Sequence, residues 1–583
     1  MDSHMRKTPS VNSRSDNETV VIDTEESQYN PYQSGQKNEY DEGKMEENMV
    51  DEDKFEIDES DVLSSDKGHG NIDPGSDAVV TLPFKQLMVV FVGLMLGIFL
   101  SSLDQTIVSV ITTKIANEFQ GLNQIPWIGT SYLLTTTTFQ PLYGKASDIF
   151  GRKETFLFAI GVFLIGSALC GAAQSTIMII IARGIAGIGT AGIMSMVMII
   201  ITDLVSHRDR GKYQGIIGAC FGLSSVIGPL LGGVFADKAS WRWAFFINLP
   251  IGAITIAAVI KLLHLPHTKG SFKEKLQRID VFGSLSLIIA IVLILLPLNW
   301  GGSTYAWSSP IVIGLFCAGA VALMIFLFIE WKIAKEPIIP FRMFKSRTNT
   351  AVFLTCFFIG MGFFGIMFYM PLFFLIVHQK SATKAGLEML PLIIGLLVAA
   401  VSSGFMVSKY GQYLPYIWIG LALSTAGTGL LSLLTEDSSR GEVAGFLFID
   451  GFGLGFCIQT TVLAIQSSVE RKDIAIVTSN ASFFRTVGTV LGVAITGTVF
   501  NNALKKNLGS LILENPQIAA VISDSYLASS FGPAIEVQIL HAYMLSLKTV
   551  FRACVPFTGL GFFFSLFIKR QKLPKTLEPV ALE

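Results

Sequence analysis

WIGTSYLLTTTTFQPLYGKASDIFGRK, residues 127–153, reads as a helix that runs into a short charged loop framed by two glycines. A bilayer core takes about 20 mostly apolar residues as helix. The part ending near residue 146 meets that length, and Asp148, Arg152 and Lys153 then mark the return to water. The glycine-framed octet GKASDIFG (144–151) has a second version, GFMVSKYG (404–411), again after an apolar stretch. Working outward, apolar stretches of spanning length recur at 84–110, 126–146, 155–173, 176–202, 211–235, 243–263, 279–298, 309–331, 350–377, 385–408, 413–434, 441–466, 476–502 and 541–568. The run at 510–530 is broken by Asn515, Pro516 and Asp524 and is expected outside the bilayer. These fourteen stretches predict an all-α membrane protein with 14 transmembrane helices.

Charge is divided unevenly along the 583 residues. Residues 1–80 hold 21 acidic against 7 basic side chains, a net of −14. The whole chain is −1, which leaves +13 on the apolar remainder. The head is too poor in apolar residues to offset its ordering entropy, and it reads as a disordered acidic cytosolic tail. It shows no basic start followed by an apolar run, so no cleavable signal is expected. Lys and Arg concentrate in the loops after even-numbered spans, which predicts cytosolic termini on both sides. The six cysteines lie in apolar stretches without metal-type spacing and read as small hydrophobes. There is no phosphate-cradling glycine loop, nucleophile–base arrangement or metal-ligand pattern, so neither enzyme activity nor a cofactor or metal is expected. The expected partners are a small-molecule substrate, protons and the lipid bilayer, with no nucleic acid and a monomer as the working unit.

The paired octets suggest internal repetition. If spans 7 and 8 are set aside, span 10 is the second helix of a second six-helix half, and the order becomes 6 + 2 + 6. The expected units are residues 81–265, linker helices 266–348, a second half 349–568 containing a long non-cytosolic loop 503–540, and a cytosolic tail 569–583. Gly144 would let helices approach closely, and Gly151 would accept a turn backbone. Arg152 can reach Asp203 at the end of span 4. An ionisable side chain inside a span is costly and points to function. Asp104 and Arg183 fall roughly 10 Å and 9 Å from the midplane on the same side, at 1.5 Å per residue. They can pair, and protonating Asp104 would release Arg183, a switch that proton coupling needs. Asp450, roughly 6 Å from the midplane, is a second candidate proton site or an anchor for a cationic substrate. Gln105, Tyr132, Gln140, Asn248, Gln459, Gln466 and Asn480 are candidates to line a central cavity. Arg485, beside Gly488 and Gly492, is a further candidate, expected nearer the cytosolic vestibule.

Four stretches together resemble the major facilitator superfamily, in particular the fungal 14-span drug:proton antiporter branch. They are LDQTIVSV (103–110), the opening stretch with its G-x-x-x-D-x-x-G-R-K pattern, Arg183 followed by GIAGIGTAG (184–192), and Gly228-Pro229 with Gly232 and Gly233 before SWRWAFFINLPIG (240–252). MIIITDLVSHRDRGKYQGIIGA (198–219) is also similar to fungal vacuolar basic amino-acid transporters. The resemblance implies the major facilitator fold. It makes Gly144, Asp148, Gly151, Arg152, Lys153 and Asp203 a conformational latch, with Asp148 facing the start of span 13. Gly228, Pro229, Gly232 and Gly233 become an antiporter helix motif. The implied function is proton-coupled export of drugs, toxins or other organic cations from the cytosol, at the plasma or vacuolar membrane. Vacuolar uptake of basic amino acids is the alternative, and a transporter-like nutrient sensor is a more distant one. Ser224 stands where the span-5 motif usually has Gly, and Gln412 stands where the first octet is followed by Arg152.

Overall fold

The computed structural model describes residues 84–119, 124–206, 208–263, 271–301, 305–518, 531–571 and 573. The acidic head, residues 519–530 and most of the C-terminal tail lie outside the described residues. Fourteen long helices follow in order. They are α1 (Phe84–Phe119), α2 (Ile125–Phe150), α3 (Arg152–Gly171), α4 (Thr176–Leu204), α5 (Arg210–Lys238), α6 (Asn248–Leu262), α7 (Val281–Trp300), α8 (Pro310–Lys332), α9 (Arg347–Leu372), α10 (Leu390–Tyr410), α11 (Leu414–Leu431), α12 (Arg440–Gln466), α13 (Ile474–Asn507) and α14 (Pro533–Ser565). Among the described residues, thirteen stretches are both long and apolar enough to cross a membrane. The exception is α2, whose Thr135–Thr138 run and Gln140 dilute its hydropathy. Tertiary context accounts for this, because α2 is packed against α4 and α13 rather than turned wholly to lipid. The chain is an integral multi-pass membrane protein.

Two differences from the expected boundaries concern length. Helix α1 continues to Phe119, and α13 and α14 extend to Asn507 and back to Pro533. The loop expected at 503–540 therefore narrows to the stretch between those helices, part of which is the short helix Gly509–Glu514.

The packing scheme repeats. In the first half α1 packs on α5 and α6, α2 on α4, and α3 on α4 and α6. In the second half α9 packs on α13 and α14, α10 on α12, and α11 on α12 and α14. The octets end their helices alike, since Gly151 (φ 106°) and Gly411 (φ 69°) both adopt backbone that L side chains rarely take.

The halves meet through the second helix of one and the fifth of the other, α2 on α13 and α10 on α5. Small residues make both crossings. A Cβ on Gly144 would stand 1.9 Å from Ser479 Oγ and 3.0 Å from the Ala475 carbonyl oxygen. A Cβ on Gly404 would stand 2.3 Å from the Gly211 carbonyl oxygen. Polar contacts reinforce this end of the bundle. The Arg208 guanidinium donates to the backbone carbonyls of Ser408 and Lys409. The Ser408 hydroxyl donates to Asp209 at 3.3 Å, and Gln214 Nε2 donates to Gln466 Oε1 at 2.9 Å.

The linker helices α7 and α8 pack on each other, and α7 also touches α2 and α13. Leu287, Ile291 and Leu295 share one apolar cluster with Phe326, Phe483, Leu134 and Leu142. Buried Glu330 accepts the backbone N–H groups of Ile338 and Ile339 and so folds the chain back after α8. Glu336 then takes two hydrogen bonds from Arg278 and a 2.7 Å ion pair from Lys145 of α2. The Arg278 bonds, with Lys145 behind them, outweigh burial and hold the Glu336 carboxyl down at about 2. A depressed carboxyl stabilises the fold above the ordinary carboxylate value, and the effect fades as pH falls through the depressed one. The cluster is partly exposed, so about 1 kcal/mol or less is expected. Glu336→Gln should lower the thermal midpoint slightly at neutral pH. The gap should shrink with salt and close as pH falls towards about 2, in unfolding scans of the detergent-solubilised protein.

Candidate functional site

A cavity of about 160 Å³ lies along the seam between the halves. Its walls come from α1, α2, α4 and α5 on one side and from α9, α10, α12 and α13 on the other. Of the residues singled out in the sequence, Gln105, Tyr132, Gln140, Gln459 and Arg485 line it. Thr486 Oγ1 donates to Gln140 Oε1 at 3.1 Å and joins the halves across it.

Three candidates lie elsewhere. Asn248 is fully buried and donates to Asp104 Oδ1 (3.2 Å) and Ser167 Oγ (2.8 Å). Gln466 is held between Gln214 and Thr478 near the closed crossings. Asn480 is fully buried in α13 and its side-chain atoms have no hydrogen-bond partner among the described residues. Each is a polar residue in a span, and periodicity on a helix buried all round does not say which side meets a cavity.

Asp104 and Arg183 form the expected pair, with Nη1 2.5 Å from Oδ2 and both side chains almost wholly buried. Arg183 Nε donates to the Ile128 carbonyl at 3.2 Å, and the guanidinium stacks 3.9 Å from the Tyr132 ring centroid. Both carboxylate oxygens of Asp104 are engaged, one by Arg183 and the other by Asn248. Tyr132 is the partition. Its ring covers the pair, it also lines the cavity, and its hydroxyl pairs with Thr190 Oγ1 at 2.8 Å. Gln105, the next residue after Asp104, points to the cavity side.

Asp450 is fully buried between α11 and α12, away from the cavity walls. Its Oδ1 accepts from Ser424 (2.8 Å) and Thr428 (3.3 Å), and its backbone lies against Gly427. Oδ2 has no hydrogen-bond partner among the described residues.

The latch residues converge inside the first half. Arg152 binds Asp148 Oδ1 (2.5 Å), Ser147 Oγ (3.0 Å) and Asp203 Oδ2 (3.2 Å). Lys153 Nζ donates to the Ile260 carbonyl at the end of α6. The start of α13 is met one turn earlier, at Gly144. Gly228 and Gly232 pack α5 on α1, where added Cβ atoms would meet Thr106 and Ile107, whereas Gly233 has open space beside it. Pro229 lies within α5 between them. The Arg208 clasp was not foreseen. The signal available in the sequence is the small-x-x-x-small pattern of close helix crossings at Gly211/Gly215, Ala400/Gly404 and Ala475/Ser479.

The model of the Major Facilitator Superfamily matches residues 94–493. The chain belongs to that superfamily. Among curated relatives, an "MFS-type efflux pump MFS1" of Arthroderma benhamiae is 34% identical over 502 residues, covering 85% of this chain and 94% of that protein. "Efflux pump aflT" of Aspergillus parasiticus is 33% identical, covering 83% and 95%. "Multidrug transporter protein MdtP" of Bacillus subtilis is 35% identical, covering 82% and 93%. Of solved structures, the human organic anion transporter MFSD10 superposes with a TM-score of 0.56 at 14% identity, covering 83% of this chain and 100% of that one. The proton:xylose symporter XylE superposes with 0.54 at 14% identity, covering 84% and 98%. Superfamily membership makes this a membrane transporter of small molecules, with its cavity between the two halves.

Removing one partner of a buried ion pair strands the other charge and costs about 3–5 kcal/mol. Arg183→Gln should destabilise the purified protein by that order. Arg183→Gln combined with Asp104→Asn should cost distinctly less, as read in a double-mutant cycle of thermal unfolding. A loss in the double variant equal to the sum of the losses in Arg183→Gln and Asp104→Asn alone would mean that the pair is not coupled.

Proposed function

We propose that this transporter is a proton-coupled exporter that works by alternating access. The observation that carries the reading is a cavity walled by both halves and closed at one end by two equivalent glycine crossings, Gly144 on α13 and Gly404 on α5. Two rigid halves in such contact can rock about a central site, opening one end as the other closes. The distribution of Lys and Arg supports a cytosolic location for the closed end and both termini. The described conformer then faces away from the cytosol. The efflux names carried by the relatives support export as the direction.

Asp104 supplies the coupling. In the closed conformer its charge is matched by Arg183 and Asn248 behind Tyr132. A proton on Asp104 removes one half of the pair, and Arg183 must then find another partner or rearrange its contacts with Tyr132 and Ile128. Helix α4 carries both Arg183 and Thr190, so this rearrangement reaches the cavity wall directly. Asp450 is the second acid available to a proton, held between α11 and α12 of the other half.

In vesicles holding the full chain and a trapped pH indicator, a panel of anionic, neutral and cationic fluorescent amphiphiles should include compounds whose movement dissipates an imposed pH gradient. Asp104→Asn should abolish that dissipation while leaving downhill exchange of the same compound, measured on protein that elutes as a folded monomer. Full coupling in Asp104→Asn would remove Asp104 from the mechanism.

A further inference from the structure

The cavity carries a positive side chain and none of the acids that favoured a cationic substrate. Among its lining residues Arg485 is the one charged side chain, and no carboxylate lines it. Asp450, the candidate anchor for a cationic substrate, and Asp104, the other candidate proton site, both lie outside its lining. Asp104 is saturated by Arg183 and Asn248, and Asp450 is turned to Ser424 and Thr428. Arg485 differs from Arg183 in the same way. Arg183 has a carboxylate, a carbonyl and an aromatic face around it. Among the described residues Arg485 makes no salt bridge, and its electrostatic neighbours are the thiols of Cys356 and Cys457.

The backbone beneath Arg485 is fixed. A Cβ on Gly360 would stand 2.1 Å from the Arg485 carbonyl oxygen, and one on Gly488 would stand 2.0 Å from that of Phe357. Helices α9 and α13 are therefore in backbone contact at this residue and one turn after it, and its guanidinium projects from a rigid base. A guanidinium without a counter-charge at this depth is costly unless water or a ligand satisfies it. Its planar fork suits a carboxylate or another planar oxyanion bidentately. The surroundings suit an apolar body attached to that group, with Phe221, Phe363, Phe364 and Met194 close by. Gln459, whose Oε1 has no partner among the described residues, adds a neutral polar contact opposite them.

We propose that the cavity takes amphipathic organic anions, with Arg485 binding the anionic group and the aromatic wall holding the apolar body. This rests on the reading of the cavity as the substrate site and replaces the expectation of cationic substrates with its opposite. The role is one of binding and selection, set by a single unpaired cation in a wall that is otherwise neutral.

Three probes sharing one ring system separate the possibilities: naphthaleneacetate, naphthaleneacetamide and naphthylethylamine, titrated by fluorescence into the purified full chain. The acetate should bind tighter than the amide by about tenfold or more, as charge-assisted hydrogen bonding to a guanidinium implies, and the amine should bind weakest. Arg485→Gln should bring the acetate down to the level of the amide, with the amide still bound within a few-fold of its original affinity, which also shows that the cavity is intact. Arg485→Lys should keep part of the preference. Binding of all three probes without preference, a preference for the amine, or an acetate preference that survives in Arg485→Gln would overturn the anion assignment and leave the cavity as the substrate site. No binding of any probe, with unchanged flux of the amphiphile panel in vesicles, would overturn both the assignment and the reading of this cavity.

Discussion

At Gly144 the α2 backbone lies so near α13 that even a methyl group would overlap Ser479, and at Gly404 the α10 backbone does the same to Gly211 of α5. Helices in lipid gain little from apolar burial against one another, so close association depends on small residues and on hydrogen bonds. These two crossings meet that constraint without permanent side-chain interlocking, which is what a contact that must also separate requires. Around them the Arg208 guanidinium caps carbonyls at the end of α10, and Ser408 reaches Asp209. Hydrogen bonds from Ser206, Lys212 and Ser408 overcome the effect of burial and hold the Asp209 carboxyl below its ordinary value, so this part of the clasp is charged at physiological pH. The linker helices lie across the same seam, with α7 touching α2 and α13 and Glu336 tied to Lys145.

Behind the seam Arg183 and Arg485 have opposite surroundings. Arg183 is surrounded by partners and shielded from the cavity by Tyr132, whereas Arg485 faces the cavity without a carboxylate. A buried charge that is fully matched suits a proton switch, since removing its partner has a large consequence. A charge left unmatched in a cavity suits a ligand. The two residues are the same type in sequence, and only their neighbours distinguish them.

Much of the fold was legible because it follows from periods and lengths. The spans, the 6 + 2 + 6 order and the turn glycine Gly151 all came from apolar length and from the paired octets. The Asp104–Arg183 pair was legible because two costly charges fell at one depth. The rest needed the third dimension. Helix α2 fails a hydropathy test yet spans, because α4 and α13 take up its threonine-rich face. Asn248 and Gln466 were polar for the sake of Asp104 and Gln214, not of the cavity. Asp104 and Asp450 were placed by depth, and neither lines the cavity, because depth says nothing about which way a side chain points around the helix. The Arg208 clasp was hidden since a basic loop already has a topological explanation.

Under the proposed alternating-access cycle, two rigid halves exchange which end of the cavity is closed. Distances between spin-label pairs spanning both ends test it most directly. One pair, at Glu154 and Lys472, spans the closed crossings, and another, at Lys114 and Lys384, spans the opposite end, with native cysteines replaced. Shifting the pH gradient across sealed proteoliposomes should lengthen one distance as the other shortens. Distances that change in the same sense, or that stay fixed while flux proceeds, would contradict the account.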